Sequence, residues 1–127
     1  MPKKVLIIDD EPSIAESIAM VVEEAGYLPL IGTHPKEGLE LIRTHSPALV
    51  TTDFMLPGMN GEQFVEAIRA DALARQIAPP LILLISAVIA PRIQQVKADA
   101  VLSKPFNVDE MITLLQKLLG TDDTRND

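Results

Sequence analysis

The chain has 127 residues, 47% of them hydrophobic, and a formal charge of −7, which suits one domain able to bury an ordinary core. No apolar run approaches the ~18 residues of a membrane span, and the absence of cysteine excludes disulfide frameworks and thiolate metal sites. The acidic balance and 3% aromatic content argue against a nucleic-acid surface, which needs clustered Lys and Arg and rings for stacking.

The opening Met1-Pro2-Lys3-Lys4 is charged like the start of a signal peptide. The apolar run that follows, Val5 to Ile8, is too short for one, and Asp9-Asp10-Glu11 ends it. With no cysteine, this points to the cytoplasm. Val5-Leu6-Ile7-Ile8 predicts a fully apolar strand. Pro12 suits the first position of a helix that carries Ile14, Ile18, Val21, Val22 and Ala25 on one face and stops at Gly26. Tyr27 to Ile31 predicts a short strand, and Pro29 inside it favours a sheet edge. Thr33-His34-Pro35 opens a second helix with Leu39, Leu41 and Ile42 facing inward, ending by Pro47. Leu49-Val50-Thr51-Thr52 predicts a buried strand that ends at Asp53. Pro57-Gly58 and Asn60-Gly61 then mark a loop.

A third helix from about Gly61 carries Phe64, Val65 and Ile68, and its end is blurred from Ala70 to Ala78. Leu81 to Ile85 is the most hydrophobic strand and ends at Ser86. A weak helix around Arg92 to Lys97 leads to a short strand, Ala100-Val101-Leu102, and to Lys104-Pro105. Asn107 with Glu110 three residues later forms a capping box for the last helix, whose stripe is Met111, Leu114, Leu115 and Leu118. Gly120 caps it, and residues 121–127 read as a disordered polar tail. The chain is thus one domain, 1–120, and a tail.

Five β/α units with fully apolar strands imply a parallel sheet covered by helices on both faces. Ligands in such sheets sit outside the strand carboxyl ends, where the crossovers change face. Asp9-Asp10, Asp53, Ser86 and Lys104 all fall at those ends. An oxygen-only cluster of Asp9, Asp10 and Asp53 suits a hard divalent ion such as Mg²⁺. Asp53 can then act as a nucleophile toward phosphorus, with Lys104 and the metal holding the phosphoryl charge and Ser86 offering a hydroxyl.

Each residue also has a plainer reading. Asp53 could cap its own loop, Asp9-Asp10 could be charges favoured at a helix start, Lys104 a solvated loop lysine, and Ser86 a strand terminator. His34 and His45 lie ~16 Å apart along a helix, too far to share a metal, and read as surface histidines. Met55 and Met59 read as loop packing, and Gly58 and Gly61 as turn glycines.

Four stretches in order decide between these readings: Val5-Leu6-Ile7-Ile8-Asp9-Asp10-Glu11, Asp53 with Met55-Leu56-Pro57-Gly58-Met59-Asn60-Gly61, Ser86-Ala87, and Lys104-Pro105-Phe106. Together they resemble the receiver domain of bacterial two-component response regulators, from Lys3 to Leu119. The resemblance implies a flavodoxin-like doubly wound sheet of strand order 2-1-3-4-5. It implies that Asp53 accepts a phosphoryl group from the phosphohistidine of a sensor histidine kinase or phosphotransfer protein. It also implies Mg²⁺ as cofactor, held by Asp10, Asp53 and the carbonyl of Met55, with Asp9 partly through water. Ser86 and Lys104 would contact the phosphoryl group, and the Lys104-Pro105 bond would be cis. Output would pass to a downstream protein or a phosphorylation-dependent dimer, with no direct role for nucleic acid or membrane.

Two departures stand out. The family usually carries Tyr or Phe three residues before the lysine as a rotamer switch, and here Val101 is too small and stiff for that role. Only 18 positions separate Ser86 from Lys104, where relatives have roughly four residues more, about one helical turn. The usual glycine before Ala98 is replaced by Lys97. The fourth helix should therefore be short or irregular, and switching should be an order–disorder or loop shift within Ala87 to Ala100.

The alternatives are an aspartyl-phosphate phosphatase or phosphotransferase acting on small molecules, a flavin- or nucleotide-binding module, and a receiver-like scaffold that is never phosphorylated. The phosphatase needs a second acid/base carboxylate close after the nucleophile, where Met55 stands, and turnover of a phosphate ester would reveal it. The flavin module needs a Ser/Thr/Gly-rich loop after the first strand, where Asp9-Asp10-Glu11 would repel phosphate, and a flavin spectrum would reveal it.

Overall fold

A computed structural model of the chain describes residues 2–56, 58–87 and 97–120. Its elements are β1 (Lys4–Ile8), α1 (Pro12–Glu24), β2 (Leu28–Gly32), α2 (Pro35–His45), β3 (Leu49–Thr52), β4 (Met55–Leu56), β5 (Met59–Asn60), α3 (Gly61–Ala74), β6 (Leu81–Ser86), β7 (Ala100–Ser103) and α4 (Val108–Leu119). The expected helix around Arg92 to Lys97, for which Lys97 alone is described, and the expected tail 121–127 lie outside the described residues.

The five-stranded sheet has the order β2-β1-β3-β6-β7, and every pair in it is parallel. Setting aside the small β4-β5 hairpin, this is the expected order 2-1-3-4-5. The apolar strands are explained by alternation, because successive side chains of a strand point to opposite faces. Val5 and Ile7 of β1 enter one core with Leu49, Leu83 and Ile85, completed by Ala15, Ile18 and Val22 of α1 and Met111, Leu115 and Leu119 of α4. Leu6 and Ile8 enter the other with Val50, Ile82 and Leu84, completed by Ile42 of α2 and Phe64, Val65 and Ile68 of α3. A strand serving two dry faces reads as a near-continuous apolar run, and the buried polar residues of β3 and β6, Thr51, Thr52 and Ser86, stand toward the carboxyl ends.

The helix boundaries follow local chemistry. Pro12 opens α1, and Gly26 at φ 99° follows its C-cap, Ala25. Ala15 is the fully buried residue of the first turn, whereas Ile14 is only partly covered. His34 caps α2 by accepting from the Glu37 N–H, so it has a structural role beyond that of a surface histidine. A capping box of Asn60 and Gln63 opens α3, and the predicted box of Asn107 and Glu110 opens α4. α3 stops at Ala74, with Gln76 just beyond it in the left-handed region at φ 58°. β2 begins one residue later than expected, at Leu28, and lies at the sheet edge as Pro29 requires. The loop after Asp53 holds an antiparallel pair, Met55↔Asn60 and Leu56↔Met59, turning through Gly58 at φ 76°. Two-residue strands are too short to show a period in sequence.

The end of α4 is tied to the start of the sheet. The Lys3 ammonium donates to the Leu119 carbonyl at 2.6 Å, and the buried Tyr27 hydroxyl donates to the Gly120 carbonyl. Both acceptors belong to the last turn, where helix carbonyls lack intrahelical partners and a cation is favoured. Tyr27→Phe combined with Lys3→Met should lower stability by about 1–3 kcal/mol. It should also speed amide exchange at Gln116 to Gly120 while β1 and β3 stay protected. Unchanged exchange there would show that the two bonds do not hold the helix end.

Candidate functional site

The parallel register brings the strand-end residues together. Ile8 of β1 pairs with Thr52 of β3, so Asp9 and Asp53, each one residue further on, emerge side by side. Ser86 of β6 pairs with Ser103 of β7, and the Lys104 N–H donates to the Ser86 carbonyl at 2.9 Å. From there the lysine side chain reaches back across β6. Its ammonium stands 2.8 Å from Asp53 Oδ2 and 3.8 Å from Asp9 Oδ2. The bond from Lys104 to Pro105 is cis.

Each carboxylate is held at both oxygens. Asp9 Oδ1 accepts the Glu11 N–H at 3.0 Å, and Asp53 Oδ1 accepts the Met55 N–H at 3.3 Å. The second oxygen of each faces Lys104. Asp9 is only 3% exposed, and burial raises its pKa above the ordinary value. The Glu11 N–H and then Lys104 offset part of that rise, while Asp53 and, least of all, Asp10 push it higher. Two carboxylates thus meet at the lysine. Asp10 is exposed, and among the described residues no three acidic or imidazole side chains form a group that could hold a metal ion. The expected cluster of three acids is therefore a pair with Asp10 at its margin.

The loop after Asp53 is held against it by close packing. The Gly61 N–H donates to the Phe54 carbonyl at 2.5 Å, and the Thr52 hydroxyl donates to the Asp53 carbonyl at 3.1 Å. A Cβ on Gly61 would lie 2.9 Å from both the Asp53 carbonyl oxygen and the Phe54 Cα. Gly61 was expected as a turn glycine, but its role is this close approach. The Asn60-Gln63 box fixes the other side of the same loop. Asn-Gly followed by Gln three residues after the Asn was a legible capping signal, whereas the backbone contacts of Glu11 and Phe54 have no side-chain signature. Ser86 is buried at the end of β6, and Val101 lies on edge strand β7, 46% exposed.

A raised carboxyl pKa means the folded state holds the proton more tightly than the unfolded chain. Stability is then lost as pH rises from the ordinary value of 3.8 through the raised one. Asp9→Asn should therefore raise Tm by a few degrees at neutral pH, the gain vanishing below that window. Its amide oxygen can still accept from Glu11. Melting curves without divalent cations, taken between acid and neutral pH, test this. An equal or lower Tm for the variant at neutral pH would show that ionised Asp9 carries no net penalty.

A family model described as "Response regulator receiver domain" matches residues 5–116. "Response regulator Rre1" of Synechocystis sp. is 33% identical over 99% of this chain and 55% of its own length. "Phosphate regulon transcriptional regulatory protein PhoB" of Pseudomonas aeruginosa is 34% identical over 92% of this chain and 52% of its own. The chain thus spans about half the length of the curated relatives it matches. Among solved structures, Vibrio cholerae chemotaxis protein CheY4 superimposes with a TM-score of 0.83 at 28% identity, covering 94% of this chain and all of that one.

Proposed function

The chain belongs to the response regulator receiver family of two-component systems, and from that premise we propose that Asp53 is the phosphoacceptor, charged by the phosphohistidine of a sensor histidine kinase or phosphotransfer protein. The observation that carries the proposal is the paired hold on Asp53, with Lys104 on Oδ2 at 2.8 Å and the Met55 N–H on Oδ1 at 3.3 Å. A carboxylate fixed at both oxygens, at the mouth of a parallel sheet, is an oriented nucleophile.

In the reaction an Asp53 oxygen attacks phosphorus as the P–N bond to the donor imidazole breaks, and the electron pair of that bond goes to the imidazole nitrogen. The Lys104 ammonium pairs with a phosphoryl oxygen in place of the carboxylate, so the site needs no new charge at the moment of transfer. The Ser86 hydroxyl, at the adjacent strand end, donates to a second phosphoryl oxygen. Asp9 keeps the ammonium within reach of both states.

The donor set fits Mg²⁺, being all oxygen, with Asp53 beside the buried Asp9, whose pKa burial raises and whose ionisation a cation would favour. Asp10, Asp53 and the Met55 carbonyl would hold the ion, with Asp9 partly through water. Bound there, it would supply positive charge to neutralise the phosphoryl oxygens. The domain acts on its own side chain and turns over no separate substrate. Output then passes through altered contacts with a downstream protein. Among the described residues no helix is long and apolar enough to cross a membrane.

Incubated with acetyl phosphate and Mg²⁺, the protein should gain one phosphoryl group by intact mass, labile to hydroxylamine, and Asp53→Asn should gain none. Equal labelling of the variant would place the acceptor elsewhere.

A further inference from the structure

The chain has no cysteine and five methionines, so its sulfur chemistry is thioether chemistry, and the fold grades its methionines steeply by access. Met111 is fully buried and Met59 packs against the second core. Met20, on the outer face of α1, is 70% exposed, and Met55 is 62% exposed. Among the described methionines, Met55 is the one whose backbone is bonded to the acceptor, its N–H donating to Asp53 Oδ1. Leu56 packs into the second core, and strand alternation turns the Met55 side chain the opposite way, to the open side of the hairpin.

We infer that Met55 is an oxidation site, at which a peroxide converts the thioether to a sulfoxide and thereby slows phosphoryl uptake at Asp53. The inference rests on the phosphoacceptor reading above. In the step, the sulfur lone pair attacks one peroxide oxygen, the O–O bond breaks, and an S=O bond forms. Sulfur is oxidised by two electrons, and the other peroxide oxygen leaves as water. The product replaces an apolar, polarisable group by a strong dipole with its negative end on oxygen. That oxygen stands on the exposed side of the loop whose backbone is bonded to Asp53, past which an anionic phosphoryl donor has to come. One more partial negative charge there, facing solvent, should slow labelling about threefold. Met20 undergoes the same chemistry on α1 without a bond to the acceptor, and so serves as the internal control.

The test uses the whole chain, treated with hydrogen peroxide, mapped by peptide mass spectrometry, and then labelled with acetyl phosphate and Mg²⁺. Met20 and Met55 should oxidise first and Met111 last. Treated wild type and treated Met20→Leu should label about threefold more slowly than their own untreated samples, and methionine sulfoxide reductase should restore the rate. Met55→Leu should show the same rate before and after treatment. Survival of the Met55 thioether while Met59 or Met111 oxidises overturns the inference. Formation of the Met55 sulfoxide with an unchanged labelling rate, or an equal loss in treated Met55→Leu, overturns it as well. Failure of the untreated protein to label at all would refute the phosphoacceptor reading instead, and the effect on uptake with it.

Discussion

Gly61→Ala should be among the most damaging single-methyl additions to this domain. The new Cβ would sit 2.9 Å from the Asp53 carbonyl oxygen and 2.9 Å from the Phe54 Cα, with Leu84 Cδ1 at 3.2 Å. The first two are backbone atoms of the loop that carries the acceptor, so no side-chain rotation relieves the overlap. Either α3 withdraws, breaking the bond from Gly61 N–H to the Phe54 carbonyl, or the Asp53-Phe54 backbone shifts. Alanine's better helix propensity returns at most ~1 kcal/mol at a helix start, against an overpacking cost of ~1–3 kcal/mol and the lost hydrogen bond. Urea unfolding should show a net loss of about 2–3 kcal/mol. A small shift of Asp53 also misaligns attack, so labelling by acetyl phosphate should slow by roughly 10²-fold in the part that still folds. Near-wild-type stability and labelling would mean that the α3 start and the acceptor loop separate at little cost.

Lys104→Met tests the electrostatics of the site, because methionine keeps most of the length and removes the charge. Asp9 and Asp53 would then face each other across the place where the ammonium stood, 3.8 Å and 2.8 Å from their oxygens. Breaking a fully buried pair costs ~3–5 kcal/mol. With Lys104 and Asp53 each 20% exposed at the side chain, solvent screens part of this, and about 2 kcal/mol is expected at neutral pH. Adding Asp9→Asn to the same protein should recover much of the loss, since one carboxylate of the facing pair is gone. Labelling at Asp53 should fall at least ~10²-fold, the size seen when a charge-stabilising donor is removed. Equal urea midpoints for wild type and Lys104→Met would show a solvated lysine, the plainer reading of this residue.

The sheet and its site were legible in sequence because both depend on strand ends. An apolar run of strand length closed by Asp, Ser or Lys carries its own boundary, and parallel register does the rest. Asp9 and Asp53 meet because Ile8 and Thr52 pair. The Asn107-Glu110 box and the Pro12 start were equally plain, since capping is local chemistry. Interactions carried by backbone atoms were not legible. The Glu11 N–H on Asp9 and the Met55 N–H on Asp53 would form with many side chains at those positions, and the need for glycine at 61 shows only once the Asp53-Phe54 backbone lies against it. The unequal burial of the two adjacent acids, Asp9 buried and Asp10 exposed, has a related reason. Adjacent residues beyond a strand end diverge, so Asp9 turns inward and Asp10 outward. The His34 cap was missed because imidazole accepts at Nδ1 only in one tautomer and is an uncommon cap beside Ser, Thr, Asp and Asn.

The two bonds that Lys3 and Tyr27 send to Leu119 and Gly120 give α4 the mechanics of a rod pivoted at one end. Its other end begins three residues after the Lys104-Pro105 pair, while the pivot lies at the amino edge of the sheet. Twelve residues make a rod ~18 Å long, so a push of ~1.5 Å at the Lys104 end tilts the axis by only about 5°. The pivot itself hardly translates. A segment joined at this end would receive a small rotation with almost no displacement, while the outer face of α4 near Asn107 would sweep through the full stroke.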